Sequence, residues 1–206
     1  MERKSSDDEA VPNPRRLTGA AVKRPQVTEA LTRVFFEEWA LHGYAGLSLE
    51  RVARRAGAGK AALYRRWSDK AAMASDLLSR VGLLLTDVPE QPSLTEDLRV
   101  LLLAIRRLLR HTQIRRIIVD LHAEIQRTPA LREAVRPFQR ARRLRLNGLI
   151  DRAIARGELP ASIDREAAAD LIAAPLYWRM VVTGGRAGSS DVERLAATLT
   201  VALSTC

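Results

Sequence analysis

The sequence predicts an all-α protein, because apolar residues recur every three or four positions along most of the chain. The clearest apolar face follows Pro25 and comprises Val27, Ala30, Leu31, Val34 and Phe35. Helix starts are also marked, since "SLTE" at 93–96 and "SDVE" at 190–193 place a Glu three residues after a capping Ser. No segment alternates apolar and polar residues convincingly, so we expect no sheet.

The composition favours a folded protein with a polyanionic partner. Of its 206 residues, 47% are hydrophobic, which allows one large core or two smaller ones that share a helix. The formal net charge is +10, and residues 47–66 alone carry +5 from six Arg or Lys and one Glu. Because half of the excess lies in so short a stretch, we expect an anion-binding surface there.

Several function classes are disfavoured by the sequence. No apolar run approaches the ~18 residues of a membrane span, and the first residues have no apolar core of signal-peptide type. The single cysteine, Cys206, can build neither a disulfide nor a cysteine metal site. His42, His111 and His122 have no metal-ligand spacing, and no paired acid, base and nucleophile set indicates an enzyme. We therefore expect a cytoplasmic protein with no cofactor, no metal and no membrane partner.

The chain begins with a predicted arm that precedes the first helix. Residues 1–24 mix charge with Pro, Asn and Ser and lack apolar periodicity, which is typical of a disordered segment. Its cations are available either for an adjacent DNA minor groove or only for solvent, and both interpretations stay open. The cations nearest the first helix are Arg15, Arg16, Lys23 and Arg24. Helix 1 should then begin near Pro25 and stop at Gly43.

Two short helices joined by glycines should follow. Ser48 can cap the first of them, Gly57 ends it, and Gly59 opens the next. Because glycines allow a sharp reversal without side-chain clash, the pair predicts a helix-turn-helix over residues 47–66. A fourth helix of about 69–86 should connect this unit to the rest of the chain.

The third helix, expected to end near Trp67, carries residues suited to DNA recognition. Leu63 and Trp67 are four positions apart and should pack inward, so the remaining side chains point outward. Ala61 and Ala62 are small enough for a close approach to base edges, and Arg65 can read guanine through two hydrogen bonds.

Other predicted DNA contacts surround this helix. Tyr64, Arg66 and Lys70 are placed for phosphates, which supply affinity and register, and Ser48 and Lys60 complete the predicted DNA-binding set. An alternative stays open. Basic helix faces are commonly solvated surface, and short helix pairs joined by glycine occur in many bundles.

Five further helices are predicted after the two prolines of "TDVPEQPS". They should cover about 93–110, 112–127, 129–156, 164–183 and 190 onward, and Asp164 can cap the fourth of them. Pro137 and Pro175 lie inside two of them, where we expect bends. The last two helices are more apolar than a surface should be, which predicts a dimer interface with Leu171, Leu176, Val181, Leu195 and Leu199. Candidate ligand-cavity residues are His122, Tyr177, Trp178 and Met180. For both sets, packing within the subunit core is the competing interpretation.

Residues 30–86 resemble the DNA-binding domain of TetR/AcrR-family transcriptional repressors. The resemblance is carried by "WALHGY" at 39–44, "SLERVARRAG" at 48–57 and "AGKAALYRRWSDK" at 58–70. Three departures are Gly59 in place of the usual Ser or Thr cap, Ala62 in place of a hydroxyl residue, and Trp67 in place of Phe. The stretches "RAIARGELPAS" and "APLYWRMVVTG" are also similar to the C-terminal domain of one branch, more loosely.

The resemblance implies a homodimeric repressor with two domains. These would be a helix-turn-helix DNA-binding domain at 25–70 and a ligand-binding and dimerisation domain at 71–206. The implied function is ligand-responsive, sequence-specific regulation of transcription, with double-stranded operator DNA, a second copy of the chain and an unknown small-molecule effector as partners. A nonspecific or architectural nucleic-acid-binding protein without a ligand switch is the alternative.

Overall fold

The computed structural model describes residues 19–84 and 88–205, and side chains within 26–80 and 88–205. In this part of the chain all regular structure is helical, which confirms the predicted all-α class. The predicted arm lies mostly outside the described residues, as do Arg15 and Arg16. Of the helices that are described, none combines the length and apolarity needed to cross a membrane.

The described chain forms nine α-helices and one π-helical turn. They are α1 (Gly19–Gly46), α2 (Leu49–Arg55), α3 (Lys60–Tyr64), α4 (Lys70–Leu84), α5 (Leu94–Arg110), α6 (Thr112–Arg127), α7 (Pro129–Ala155), α8 (Arg165–Tyr177) and α9 (Ser189–Leu203). The π-helical turn, Trp178–Val182, continues α8.

Several helix ends differ from the predictions. The first helix starts at Gly19 and not near Pro25, in keeping with the high helix propensity of the intervening Ala20 and Ala21. The third helix ends at Tyr64, two or three residues earlier than predicted. The last helix begins at Ser189, because the Asp191 carboxylate accepts the Gly188 N–H at 2.8 Å, and the predicted Ser190 cap is therefore wrong.

Other local predictions are confirmed. Ser48 accepts the N–H of Arg51, and Asp164 accepts two N–H groups at the start of α8. Ser93 accepts the N–H of Glu96 at 3.3 Å, which is one half of the predicted capping box. Past Pro175, α8 widens into the π-helical turn.

The N-terminal helices form a core that the C-terminal helices complete. Buried side chains from α1 to α4, including Phe35, Trp39 and Met73, pack in one cluster. The same cluster contains Ile117 of α6 and Leu131 of α7. The predicted helix-turn-helix unit therefore does not close its core alone, and α6 and α7 are part of its support.

A buried carboxylate fixes the second core, which α5, α7, α8 and α9 form. Asp97 is fully buried and accepts hydrogen bonds from Arg152 at 3.2 Å and Arg156 at 2.9 Å. Glu158 pairs with Arg156 at 2.7 Å and also accepts the N–H of Leu94 at the start of α5. The polar residues of "RAIARGELPAS" therefore join the end of α7 to the beginning of α5.

Gly43 breaks α1 as predicted, with φ +67° and ψ 169°, a conformation that is essentially restricted to glycine. A Cβ added there would lie 2.9 Å from Oδ1 of Asp120. We predict that Gly43→Ala lowers the free energy of unfolding by ~1–3 kcal/mol through backbone strain, before any displacement of Asp120. Urea unfolding measures the change.

Gly59→Ala is the matched control for this substitution. Gly59 has a negative φ of −67°, and a Cβ added there would meet nothing within 4 Å. We expect its unfolding free energy to stay within ~0.5 kcal/mol of the wild type. Equal stability of the Gly43→Ala and Gly59→Ala proteins would contradict the prediction.

Candidate DNA-binding surface

The turn between α2 and α3 has the geometry that the glycine spacing predicts. Gly57 has a φ of +64°, and the N–H of Ala58 reaches back to the carbonyl of Ala53 at 2.9 Å. At the start of α3, Gly59 provides no side-chain acceptor. The short helix is therefore held mainly by its packing.

One face of α3 is buried and the other is presented to solvent. Leu63 is fully buried and Trp67 is 4% exposed, as predicted for the inward pair. The indole N–H of Trp67 donates to Asp76 at 2.9 Å, which ties the end of this segment to α4. The exposed side comprises Lys60, Ala61, Ala62, Tyr64, Arg65 and Arg66.

The two neighbouring arginines differ in their freedom. Arg66 donates to the hydroxyl of Thr28 and lies over the Trp67 ring, with its Cζ 4.7 Å from the ring centroid. Within the described residues, no ion pair or hydrogen bond involves the guanidinium of Arg65. Arg65, the C-cap of α3, is therefore more available for a new partner than Arg66 or the paired Lys60.

Lys70 makes a contact that no sequence pattern indicates. Its Nζ donates to the carbonyls of Tyr44 at 2.9 Å and Ala45 at 3.3 Å, and it lies 4.5 Å from the centroid of the Tyr44 ring. A cation at this place satisfies carbonyls at the end of α1. Lys70 is half-buried and less free than its predicted role as a phosphate contact requires.

Glu50 binds several members of the predicted DNA-binding set. Its carboxylate pairs with Lys60 at 3.1 Å and accepts hydrogen bonds from the hydroxyls of Tyr64 at 3.0 Å and Ser48 at 3.2 Å. The hydrogen bond from Lys60, with further help from the backbone and Tyr64, lowers the pKa of Glu50 to about 2. The same contacts raise the pKa values of Lys60 and Tyr64.

A second carboxylate, Glu38, neutralises two more cations of the basic stretch. It is 2% exposed and accepts from Arg51 and Arg55, each at 2.8 Å. Burial alone would raise the pKa of Glu38, but the hydrogen bonds from the two arginines outweigh it and lower the pKa. Glu38 and Glu37 lie outside residues 47–66 and offset two of the +5 charges in that stretch. Among the described residues, Arg54, Arg65 and Arg66 form no ion pair with a carboxylate.

Asp120 of α6 joins the end of α1 to the C-terminal helices. Its Oδ2 accepts the indole N–H of Trp39 at 2.6 Å and the backbone N–H of Tyr44 at 2.8 Å. Trp39 and Tyr44 are buried, so few other acceptors are available to them. No local sequence signal pairs residues 76 positions apart, so the sequence alone does not predict this contact.

Asp120 also lines a cleft of about 520 Å³ between α6 and the π-helical turn. The other main lining side chains are Arg115, Arg116, Val119, Met180 and Val181. The wall is therefore apolar along one part and cationic along another. Within the described residues, no group of three His, Cys, Asp or Glu side chains could hold a metal ion.

The four predicted cavity residues do not share one site. Met180 lines the cleft, whereas Trp178 is 62% exposed and does not line it. His122 and Tyr177 bind each other, with 2.8 Å between Nδ1 and the hydroxyl oxygen, and their rings meet edge to face. Loss of solvation, with a contribution from Arg142, lowers the pKa of His122.

The predicted dimer residues divide in a similar way. Leu176 and Leu199 are buried at 2% and 4% exposure in the second core, so these two choices are corrected. Val181 and Leu195 are partly buried against that core. The apolar side chains that remain exposed on α8, its π-helical turn and α9 are Leu171, Trp178, Val182 and Val201.

Comparison with known proteins identifies the chain. Residues 33–77 match the profile of the bacterial regulatory proteins of the tetR family, and residues 88–199 match that of the tetracyclin repressor-like C-terminal domain. The chain belongs to the TetR family. The first match includes the whole predicted helix-turn-helix at 47–66, and the second includes most of the C-terminal helices. Together they confirm the resemblance drawn from the sequence motifs.

Relatives of known sequence are themselves HTH-type transcriptional regulators. YdeS of Bacillus subtilis is 30% identical over 154 residues, which cover 74% of this chain and 77% of YdeS. Rv1556 of Mycobacterium tuberculosis is 29% identical over 176 residues, which cover 83% of this chain and 84% of Rv1556. The protein is thus a TetR-family transcriptional regulator, a class that binds DNA and dimerises.

Solved structures show the same fold. The TetR-family regulator SCO0332 superposes with a TM-score of 0.67 at 24% identity, covering 88% of this chain and 99% of SCO0332. FadR of Bacillus subtilis, solved in complex with stearoyl-CoA, has a TM-score of 0.67 at 17% identity, covering 86% of this chain and 98% of FadR. At these identities the likeness concerns the fold.

We predict that Asp120→Ala destabilises the protein, because the buried N–H groups of Trp39 and Tyr44 lose their acceptor. Each unsatisfied donor costs ~1–3 kcal/mol of unfolding free energy, and Asp120→Asn, which keeps an acceptor oxygen, should lose less. The control is Asp151→Ala, which removes an exposed carboxylate paired with Arg165 and should cost at most ~1 kcal/mol. Urea unfolding followed by tryptophan fluorescence gives the three values, and equal losses for the two alanine variants would refute the role of Asp120.

Proposed function

We propose that this TetR-family protein is a cytoplasmic, sequence-specific DNA-binding repressor that a small molecule releases from its operator. The observation that carries the proposal is the exposed side of α3 and its C-cap, where Ala61 and Ala62 precede Arg65, whose guanidinium has no partner among the described residues. Small side chains permit close approach to the major groove, and a guanidinium with two parallel donors matches the edge of guanine.

The local charge pattern supports specific over nonspecific binding. Arg51, Arg55 and Lys60, half of the six cations in residues 47–66, are already paired with carboxylates and are not available as a general polyanion surface. Phosphate contacts alone supply nonspecific affinity, whereas base contacts supply sequence choice. Arg65 has no ion-pair or hydrogen-bond partner for its guanidinium among the described residues and follows two small side chains, Ala61 and Ala62, so it suits base reading, the second of these tasks.

The operator itself can be obtained by selecting bound fragments from the organism's DNA, and it then tests Arg65. We predict that Arg65→Ala lowers operator affinity by ~1–3 kcal/mol and relaxes the base preference at one position. Arg65→Lys keeps the charge but loses the two-pronged donor, so it should lose the base preference and keep the salt dependence. Fluorescence anisotropy against the operator and single-base variants measures both, and an unchanged preference in Arg65→Ala would rule out base reading by this residue.

A homodimer would place two copies of α3 on one face of the DNA. Two recognition helices in adjacent major grooves must lie about 34–36 Å apart. The apolar side chains that stay exposed on α8 and α9, with Trp178 at 62% and Val201 at 68%, provide a surface for the second copy. We therefore assign dimerisation to this surface, with Leu171 and Val182 as further contacts.

Substitution of that surface by charge should separate the subunits. We predict that a Trp178→Glu/Val201→Glu protein sediments as a monomer at micromolar concentration, because two charges would be buried without partners in the interface. Leu144→Glu is the control, since Leu144 on α7 is 69% exposed but lies on neither helix of the proposed interface. A dimer that persists in the double variant, or one that is lost in the control, would argue against this surface.

We assign the effector to the cleft between α6 and the π-helical turn. Arg115 and Arg116 supply positive charge, while Val119, Met180 and Val181 supply apolar wall, a combination that suits an amphipathic anion. The FadR complex with stearoyl-CoA indicates that the fold can accommodate a ligand of that class. An occupant of this cleft would lie against α6 and so act on the carboxylate of Asp120.

Asp120 would then connect the cleft to the DNA-binding helices. A ligand releases the operator only if it prefers the conformation that binds DNA poorly, whatever its absolute affinity. Any occupant that shifts α6 must move or break the contacts from Asp120 to Trp39 and Tyr44. The Asp120→Ala protein should accordingly bind the operator more weakly below its unfolding temperature, although its α3 surface is intact.

A further inference from the structure

An acidic side chain lies within the surface that the proposed function assigns to DNA. Glu50 is half-exposed, and its carboxylate contacts Lys60, Tyr64 and Ser48 at 3.0–3.2 Å. These three residues belong to the set predicted to contact DNA, and two of them are on or next to α3. A carboxylate and a phosphate oxygen accept the same donors, so Glu50 uses the groups that a phosphate would use.

Stability explains only part of this arrangement. Glu50 is in the first turn of α2, where a negative charge interacts favourably with the helix dipole. That role needs a carboxylate at the start of α2, but it does not require Lys60 and Tyr64 of α3 to reach back to it. Exposed ion pairs contribute little to folding. The convergence of three donors therefore calls for a different role.

We propose that, in the free protein, Glu50 occupies the place that a DNA phosphate takes in the complex, so that Lys60, Tyr64 and Ser48 exchange one anion for the other on binding. The inference rests on the proposed DNA-binding function and assigns a positioning and affinity-setting residue to it. Because the exchange involves only phosphate-type contacts, it lowers affinity for every sequence and leaves base reading by Arg65 untouched.

Two consequences follow from the negative charge of the Glu50 carboxylate. Removal of the Glu50 charge frees Lys60 for a phosphate and removes a negative charge that repels the DNA backbone. Since its neighbours hold the pKa of Glu50 at about 2, the carboxylate stays ionised at ordinary pH. The effect of Glu50 on DNA affinity should therefore be constant between about pH 5 and pH 8.

Glu50→Gln is the test variant, and Glu37→Gln is its matched control. Glu37 is also a partly exposed acid of the DNA-binding helices paired with a cation, Arg55, at 2.8 Å, but it lies on α1 and contacts no α3 residue among those described. Both variants lose one unit of charge. Fluorescence anisotropy with the selected operator and with a shuffled duplex, over a range of salt concentrations, gives affinities and salt slopes.

We expect Glu50→Gln to bind both duplexes about two- to five-fold more tightly than wild type, the range that one exposed ion pair represents. Its salt slope should steepen by up to about 0.9, corresponding to one additional phosphate contact. Its preference for the operator over the shuffled duplex should stay the same. Glu37→Gln should leave affinity and slope close to the wild-type values.

A second set of variants separates anion exchange from simple charge removal. In a Lys60→Ala/Tyr64→Phe background the two donors from α3 are gone and only the Ser48 hydroxyl remains, so most of the Glu50→Gln gain should disappear. Weaker or unchanged binding by Glu50→Gln, an equal gain in Glu37→Gln, or a full gain in the Lys60→Ala/Tyr64→Phe background would each overturn the proposal. A wild-type protein that fails to distinguish the two duplexes would instead refute the proposed function, and the comparison on shuffled DNA would still decide the role of Glu50.

Discussion

The contact on which the rest of the arrangement depends is the one between Asp120 and the broken end of α1. Its carboxylate accepts N–H groups from Trp39 and Tyr44, on either side of the turn at Gly43. The close approach is possible because residue 43 has no Cβ, which would otherwise lie 2.9 Å from the carboxylate. Lys70 then binds the carbonyl of Tyr44 from the other side, so α1, α4 and α6 meet at one point.

Carboxylates also determine what the basic stretch can do. A count of side chains suggests a strongly cationic patch, but Glu38 holds Arg51 and Arg55, and Glu50 holds Lys60. These ion pairs fix the positions of the three cations in the free protein. The net charge of +10 therefore describes the chain as a whole and overstates the charge that this surface offers to DNA.

The features that the sequence predicts correctly are local ones, each determined by a few neighbouring residues. The caps at Ser48 and Asp164, the glycine turn and the inward packing of Leu63 and Trp67 each depend on spacing within one or two helical turns, and all were found. The ends of α1 and α3 were misplaced, since they depend on packing as well as on local signals. The apolar residues of the last two helices were compatible with either a dimer interface or the subunit core. Periodicity shows that a helix face is apolar, but it does not show which surface packs against that face.

Contacts between residues far apart in the sequence could not be predicted, because no local spacing pattern indicates them. The Asp120 carboxylate lies 81 positions from Trp39, and neither residue belongs to a spacing pattern that would indicate the other. The charge of Lys70 is evident in the sequence and predicts a phosphate contact. The sequence does not indicate that the carbonyls of Tyr44 and Ala45 accept hydrogen bonds from this side chain. Buried hydrogen-bond donors almost always have an acceptor. A buried tryptophan indole therefore indicates that an acceptor exists, but it does not indicate which residue provides it.

In the proposed release by a ligand, the position of α6 would limit how the effect of the ligand reaches the helices at the N-terminal end of the chain. One side of this helix lines the cleft through Arg116 and Val119, while Ile117 is buried in the core of the N-terminal helices. Because a packed core resists continuous deformation, a displacement of α6 at the cleft has to carry Ile117 and Asp120 with it. The end of α1 would move in turn, and Glu38 on α1 holds α2 through Arg51 and Arg55. A small shift at the cleft would thus reach α3 as a rigid-body movement of the whole helix-turn-helix unit.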